Sequence, residues 1–172
     1  MITTKKLTKK RLGGIILLGG GHTNRSDGLC IMEAVAWAAG EPHSDTPKCA
    51  SLCLGGSARR LNDADWSSDA ARTKAMRPLV FALVGTRANA EIERKRLYKL
   101  ADLAVRRWAA GAMEAADLLD QATALRALSE IVDDATARLA AASAESAASA
   151  ARAASAASAA SAASAASAAR AA

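Results

Sequence analysis

The sequence predicts an all-α protein, a small helical domain with a long Ala/Ser-rich C-terminal extension that is helical or partly disordered. Two observations support this class. Between residues 25 and 139, apolar residues recur at the three- and four-residue spacing of amphipathic helices, with Gly and Pro between the runs. From Ser143 onward almost every third residue is Ser and nearly everything between is Ala, which has the best intrinsic helix propensity.

Composition divides the chain into a basic N-terminal arm (1–24), a helical domain (25–139) and a low-complexity extension (140–172). Only 3% of the residues are aromatic, and much of the apolar fraction is Ala, so the core area is small. The large side chains expected to anchor the core are Trp37, Trp66, Trp108, Phe81 and Tyr98.

The first two helices of the domain have recognisable ends. Ser26 or Asp27 can cap a helix that carries Ile31 and Val35 on one face, and Gly40 ends it. Thr46 is expected to cap the next helix, with Pro47 in its first turn.

The later helices are also bounded by capping and helix-breaking residues. Asp65 or Ser67 opens the third, which Pro78 breaks, and residues 79–84 are apolar throughout, as in a buried short helix or strand. Asn89 then caps a long helix. After residue 111, another helix can run on into the extension.

The formal net charge of +6 permits contact with nucleic acid or an anionic surface without establishing it. The candidate nucleic-acid contacts in the arm are Lys5, Lys6, Lys9, Lys10 and Arg11. A second basic group lies on the long helix, where Glu91/Lys95 and Asp102/Arg106 have the i,i+4 spacing of a solvated, salt-bridged face.

Export and membrane insertion are not expected. The apolar run at 12–18 is interrupted by Gly13 and Gly14, and no small-residue cleavage site follows it. No stretch approaches the roughly 20 apolar residues that span a bilayer. Three cysteines, an odd number, fit reduced thiols better than a disulfide framework. The sequence therefore predicts a soluble, cytoplasmic protein.

One group of residues could bind a metal. The candidate ligands are Cys30, His43, Cys49 and Cys53. Zinc takes such sets tetrahedrally, but this spacing matches no standard ribbon or finger. Buried free cysteines are common. Unligated core cysteines without a cofactor are therefore the expectation, and a zinc site is the alternative.

The same region offers candidate acid–base groups, namely Cys30, Glu33, Glu41, His43 and Asp45. A His near carboxylates can act as a general base, and a Cys at a helix N-terminus is expected to have a lowered pKa. The alternative is a capping role, in which Ser44 and Asp45 accept from free N–H groups near Pro47. His22 follows a run of glycines, and no sequence motif assigns it a role.

Two runs, DGLCIMEAVAW at 27–37 and GEPHSD at 40–45, resemble an uncharacterised family of small proteins from high-GC bacteria and their phages. Shorter matching segments are 60–63, 77–79, 85–87 and 125–128, together with the Ala-rich repeated tail. Relatives tend to have Cys-x-Cys-Pro beginning at the position of Cys49, where this chain has Ser51 as the third residue. The resemblance implies a relative and no activity.

These patterns favour a non-enzymatic helical interaction or assembly module, with a protein partner or self-association through the extension. The first alternative is a small metal-binding or thiol-dependent enzyme centred on Cys30, Glu33, His43 and Cys49. The second is a DNA-associated phage or bacterial protein that uses the basic arm.

Overall fold

The computed structural model describes the backbone of residues 7–171 and the side chains of residues 7–160. Within that range the chain is helical and contains no β-strand, which confirms the predicted all-α class. The helices are α1 (Lys9–Leu12), α2 (Ile31–Ala39), α3 (Leu52–Asn62), α4 (Asp69–Met76), α5 (Leu79–Leu83), α6 (Ala90–Asp102), α7 (Ala110–Ala115), α8 (Leu119–Ala127) and α9 (Asp134–Ala171). A π-helical segment, Leu103–Ala109, connects α6 to α7.

The chain forms two compact units, one ending at Arg96 and one beginning at Leu97. The boundaries expected from composition were residues 24 and 139. Part of the segment expected to be an arm belongs to the core of the first unit, to which it contributes Leu7, Leu12 and Leu17. Composition gave no sign of this, because the basic residues between these leucines dominate the pattern.

The core of the first unit is built around α2, which packs against α3 and α5. Ile31, Met32 and Val35 of this helix are buried. Gly55 allows α3 to approach closely, because a Cβ at that position would lie 3.1 Å from Cε of Met32. The helix ends at Gly40 in the left-handed conformation, as predicted.

The sequence located most helices and misplaced several of their starts. Asn89 accepts from the backbone N of Ile92, so its predicted capping role is confirmed. Ser51, rather than Thr46, caps α3, and Ser68 caps α4. The apolar run at 79–84 forms a short helix and not a strand.

In the second unit, the described core residues are mostly small. Ala110, Leu125 and Ala147 form a buried cluster. Trp108, which was expected to anchor the core, is 55% exposed. Alanine buries little area, so this unit gains little from apolar burial.

The i,i+4 ion pairs predicted on the long helix are present, at 2.7 Å for Glu91–Lys95 and 3.0 Å for Asp102–Arg106. Asp102 is buried and also accepts from the backbone N of Ile131 at 3.1 Å. The Asp102–Arg106 pair therefore does more than form part of the expected solvated helix face, because Asp102 also binds the backbone of Ile131. No helix in the described part of the chain is long and apolar enough to cross a membrane.

Candidate functional site around Glu33

Glu33, in the first turn of α2, is a buried charged residue with 1% of its surface exposed. Its Oε1 accepts from the backbone N of His22 at 2.6 Å, and its Oε2 accepts from the backbone N of Cys30 at 2.7 Å. In return, Sγ of Cys30 accepts from the backbone N of Glu33 at 3.4 Å. This is a capping box with Cys at the N-cap, a position where the sequence predicted Ser26 or Asp27.

The imidazole of His22 lies against the same carboxylate, with Nδ1 2.8 Å from Oε2 of Glu33. An ionised carboxylate only accepts hydrogen bonds, so Nδ1 carries the proton. In the neutral ring the lone pair is then on Nε2. Nε2 makes no hydrogen bond to a described residue. It does not belong to the fully buried polar atoms without a hydrogen bond in the described part of the chain.

Gly28 makes room for this imidazole. Its φ is +140°, and a Cβ at this position would lie 2.8 Å from both Cδ2 and Nε2 of His22 and 2.6 Å from Cδ1 of Leu18. Both the conformation and the close approach require glycine. The Asp-Gly-Leu-Cys run therefore places a residue without a side chain beside the histidine.

His43 lies on the other side of the carboxylate. Its Nε2 is 3.6 Å from Oε1 of Glu33 and donates to the backbone O of His22 at 2.9 Å. Its Nδ1 is buried and makes no hydrogen bond within the described part of the chain. The hydrogen bonds therefore place a proton on Nδ1 of His22 and on Nε2 of His43.

Hydrogen bonding decides the charge of Glu33. Burial alone would raise the pKa of its carboxyl, but the backbone N–H groups of His22 and Cys30 and the imidazole of His22 together hold that pKa below its usual value. The site therefore contains a carboxylate that is ionised near neutral pH.

The predicted lowering of the Cys30 pKa is wrong. Burial raises the pKa of this thiol to about 12 and outweighs the backbone N–H groups of Glu33 and Met32, which lower it, while the negative charge of Glu33 also raises it. The thiol is protonated near neutral pH and serves as the cap of α2. A helix N-terminus favours the thiolate only where the sulfur keeps enough solvation.

Ser44 accepts from the backbone N of Thr46 at 3.0 Å, as expected, and Glu41 adds a capping role that was not expected of it. Its two carboxylate oxygens accept from the backbone N of Lys48 at 2.6 Å and of Cys49 at 2.8 Å. Both N–H groups belong to the turn that precedes α3. Glu41 therefore stabilises this turn, and its hydrogen bonds are separate from those of Glu33.

The candidate metal ligands lie on different elements. Cys30 caps α2, Cys49 lies in the turn before α3, and Cys53 is in the first turn of α3, where its backbone N donates to Glu93. All three thiols are free. Among the residues that the structure describes, no group of three or more His, Cys, Asp or Glu is arranged to hold a metal. The zinc alternative stays a prediction.

The structure does not describe two of the candidate nucleic-acid contacts, Lys5 and Lys6. Lys9 and Lys10 are exposed on α1. The guanidinium of Arg11 instead lies over the ring of Trp37, 5.4 Å from its centroid. Arg11 therefore has an intramolecular contact that a phosphate would have to compete with.

His22 is the site residue that sequence reasoning missed. It precedes Glu33 by eleven positions and follows a glycine run, so no helical or strand periodicity connects the two residues. The available signal was the glycine at position 28, since a glycine between a histidine and a helix can mark a close approach of the backbone.

Comparison of the chain with protein-family models, with curated proteins and with solved structures gave no match. The resemblance to the family of small bacterial and phage proteins stays a prediction.

Proposed function

We propose that this chain is a non-enzymatic helical interaction and assembly module whose second unit carries the interaction surface. The observation that carries the proposal is the distribution of large apolar side chains in that unit. Five of them are more than half exposed, namely Leu97, Trp108, Leu119, Val132 and Leu139. Of the large apolar residues described there, Leu125 and Ile131 are the buried ones.

The first unit buries more of its large apolar side chains, although Ile16 and Leu52 are also more than half exposed there. Ten of its large apolar residues are buried: Leu7, Leu12, Leu17, Leu29, Ile31, Met32, Val35, Met76, Val80 and Leu83. Exposed leucine and tryptophan cost free energy in water, and aromatic residues such as Trp are enriched where proteins bind one another. A partner that covers the side chains of the second unit would recover that free energy.

Helix α9 supplies a second element suited to assembly. Ala140 and Ala147 are buried, whereas the side chains of residues 152–160 are exposed. A helix of Ala and Ser gains little from its own packing, and helices held by propensity alone are marginal in water. Contact with a partner would stabilise this part of α9.

The two alternatives have weaker support. A thiol-dependent enzyme would need a thiolate at Cys30, and that thiol is protonated near neutral pH. A DNA-associated role rests, among described residues, on Lys9 and Lys10. Binding that weakens steeply with salt and is lost when these lysines are replaced would support it.

The test is the molar mass of the full chain by size-exclusion chromatography with light scattering, over a wide range of concentrations. We expect the wild type to self-associate and the variants Trp108→Gln and Leu139→Gln to shift toward monomer. Leu52→Gln is the matched control, since Leu52 is 63% exposed but lies in the first unit. A wild-type chain that stays monomeric throughout would contradict self-association.

A chain ending after residue 151 separates the role of α9 from that of the exposed side chains. This cut keeps Ala147, which is part of the buried cluster. We expect weaker self-association in the shortened chain. If its association constant equals that of the full chain, the extension has no part in assembly.

A further inference from the structure

Three charged residues lie on one face of α9 at intervals of seven residues, namely Arg138, Glu145 and Arg152. Seven residues advance an α-helix by about 10.5 Å and return to within about 20° of the same direction. All three side chains are exposed, whereas Ala140 and Ala147 on the opposite side of the helix are buried. The three residues therefore form a charged face on the exposed side of α9, with charges in the order positive, negative, positive.

The carboxylate of Glu145 has no ion-pair partner along its own helix. The residues three and four positions away, at 141, 142, 148 and 149, are all Ala or Ser. Within the described part of the chain Glu145 makes no ion pair, and the described contact of Arg152 is with Oγ of Ser149 at 3.0 Å. Both charges are therefore open to an opposite charge on another molecule.

A second copy of α9 carries the complementary charges. Consider two α9 helices that lie antiparallel, with a two-fold axis between residues 148 and 149. Glu145 of each copy then faces Arg152 of the other, because the two residues lie equally far on either side of the axis. The same ion pair forms twice. The residues between the two charges are Ala and Ser, whose small side chains let the helices approach closely.

This register also covers the exposed part of α9. Residues 152–160, whose side chains are exposed, lie along residues 137–145 of the second copy. A parallel pair in register would instead place Glu145 beside its own counterpart, and like charges repel. An antiparallel pair centred between residues 141 and 142 would match Arg138 with Glu145, but residues 152–160 would extend beyond the start of α9 in the second copy.

We propose that α9 pairs antiparallel with α9 of a second copy of this chain, through Glu145 and Arg152. This pairing rests on the self-association proposed above and defines its geometry at α9. Leu139 lies about 120° around the helix from Glu145, so that leucine belongs to a separate contact. Small side chains bury little apolar area, and the two ion pairs therefore fix the register and orientation of the helices.

The first experiment measures the association constant of full-length variants by sedimentation. We expect Glu145→Arg to weaken association at least about fivefold, since two attractive contacts become repulsive. The double variant Glu145→Arg with Arg152→Glu restores both pairs with reversed polarity, so its constant should return to within about twofold of wild type. Glu91→Arg makes the same charge change at an exposed residue of the first unit and is the control.

The outcomes separate this pairing from the assembly proposal. A wild-type chain that associates with a constant that Glu145→Arg leaves unchanged would overturn the pairing of α9 and leave the exposed apolar surface as the site of assembly. A wild-type chain that stays monomeric would contradict both. Loss of association in Glu145→Arg without recovery in the double variant would overturn the proposed register.

The second experiment tests the orientation by disulfide formation in the full chain. Ser149→Cys places two thiols beside the two-fold axis, whereas Ala142→Cys, on the same face, places them about 20 Å apart and beyond reach. Under mild oxidation we expect Ser149→Cys to give at least about fivefold more covalent dimer than the wild type, whose own cysteines set the background, and Ala142→Cys to match the background. Equal cross-linking of both variants, cross-linking of Ala142→Cys alone, or background levels in both would overturn the proposal.

Discussion

Gly28 lies directly against the imidazole of His22, with room for no additional atom between them. An added Cβ would stand 2.8 Å from two ring atoms, and the backbone at Gly28 has φ +140°. We expect Gly28→Ala to lower the free energy of unfolding by about 2–4 kcal/mol, because strained backbone and overpacking add. Chemical denaturation of the variant and the wild type measures this difference.

Gly56→Ala is the matched control for that substitution. Gly56 lies within α3, and no atom would come within 4 Å of a Cβ there. We expect this variant to gain about 0.5–1 kcal/mol from improved helix propensity. Equal effects at the two positions would show that the contact between Gly28 and His22 does not exist in solution.

Asn62 joins the segment before α2 to the start of that helix. Its Oδ1 accepts from the backbone N of Ile31 at 3.1 Å, and its Nδ2 donates to the backbone O of Leu18 at 2.8 Å. We expect Asn62→Ala to cost about 2–4 kcal/mol of unfolding free energy, since one buried and one partly buried backbone group would lose their partners. Urea denaturation measures the loss.

Asn89→Ala provides the comparison for Asn62, because Asn89 caps an exposed helix end and water can replace its hydrogen bond. The expected cost there is about 1 kcal/mol. A loss at Asn62 no larger than the loss at Asn89 would contradict its bridging role.

The lowered pKa of Glu33 predicts a specific acid dependence of stability. Because the pKa is lower in the folded state, the stabilisation is complete above the unfolded-state pKa of about 4.3 and is lost as pH falls through the folded-state pKa. We expect wild type and Glu33→Gln to differ by about 2 kcal/mol near neutral pH and to converge in acid. Denaturation across a pH series tests this, and a gap that widens below pH 4 would contradict it.

The thiol of Cys30 should be the slowest of the three to react. A pKa of about 12, against an ordinary value of 9.0, reduces the thiolate fraction about a thousandfold. We expect iodoacetamide at pH 8 to label Cys49 and Cys53 before Cys30 in the folded protein. Peptide mass spectrometry gives the order, and unfolding in urea should make the three rates alike. Early labelling of Cys30 would show that the helix start opens readily.

Local sequence signals predicted most of the helices because the signals and their effects lie within a few residues. Gly40 ends α2 and Asn89 caps α6 through contacts inside one turn. The start of α2 was misplaced because Cys30 is an uncommon cap, although the spacing from Cys30 to Glu33 is that of a capping box. A Cys-x-x-Glu run would have been the signal.

The site could be predicted only in part, since its members meet through tertiary structure. Glu33 and His43 were identified from residue type, and the structure places them 3.6 Å apart. The contact of His22 with Glu33 depends on a close approach at Gly28, which no periodicity encodes. The Cys30 pKa was predicted in the wrong direction because the degree of burial follows from packing and not from position in a helix.

Helix α9 has consequences for the timescale on which its backbone opens. Ala140 and Ala147 are buried, whereas the side chains of residues 152–160 stand in solvent. Amide deuterium uptake should therefore accelerate steadily along this helix, from slow exchange set by opening of the whole unit to fast exchange set by fraying. The residue at which uptake changes regime marks how far cooperative structure extends into the Ala/Ser repeat, and a bound partner would move that point toward the C-terminus.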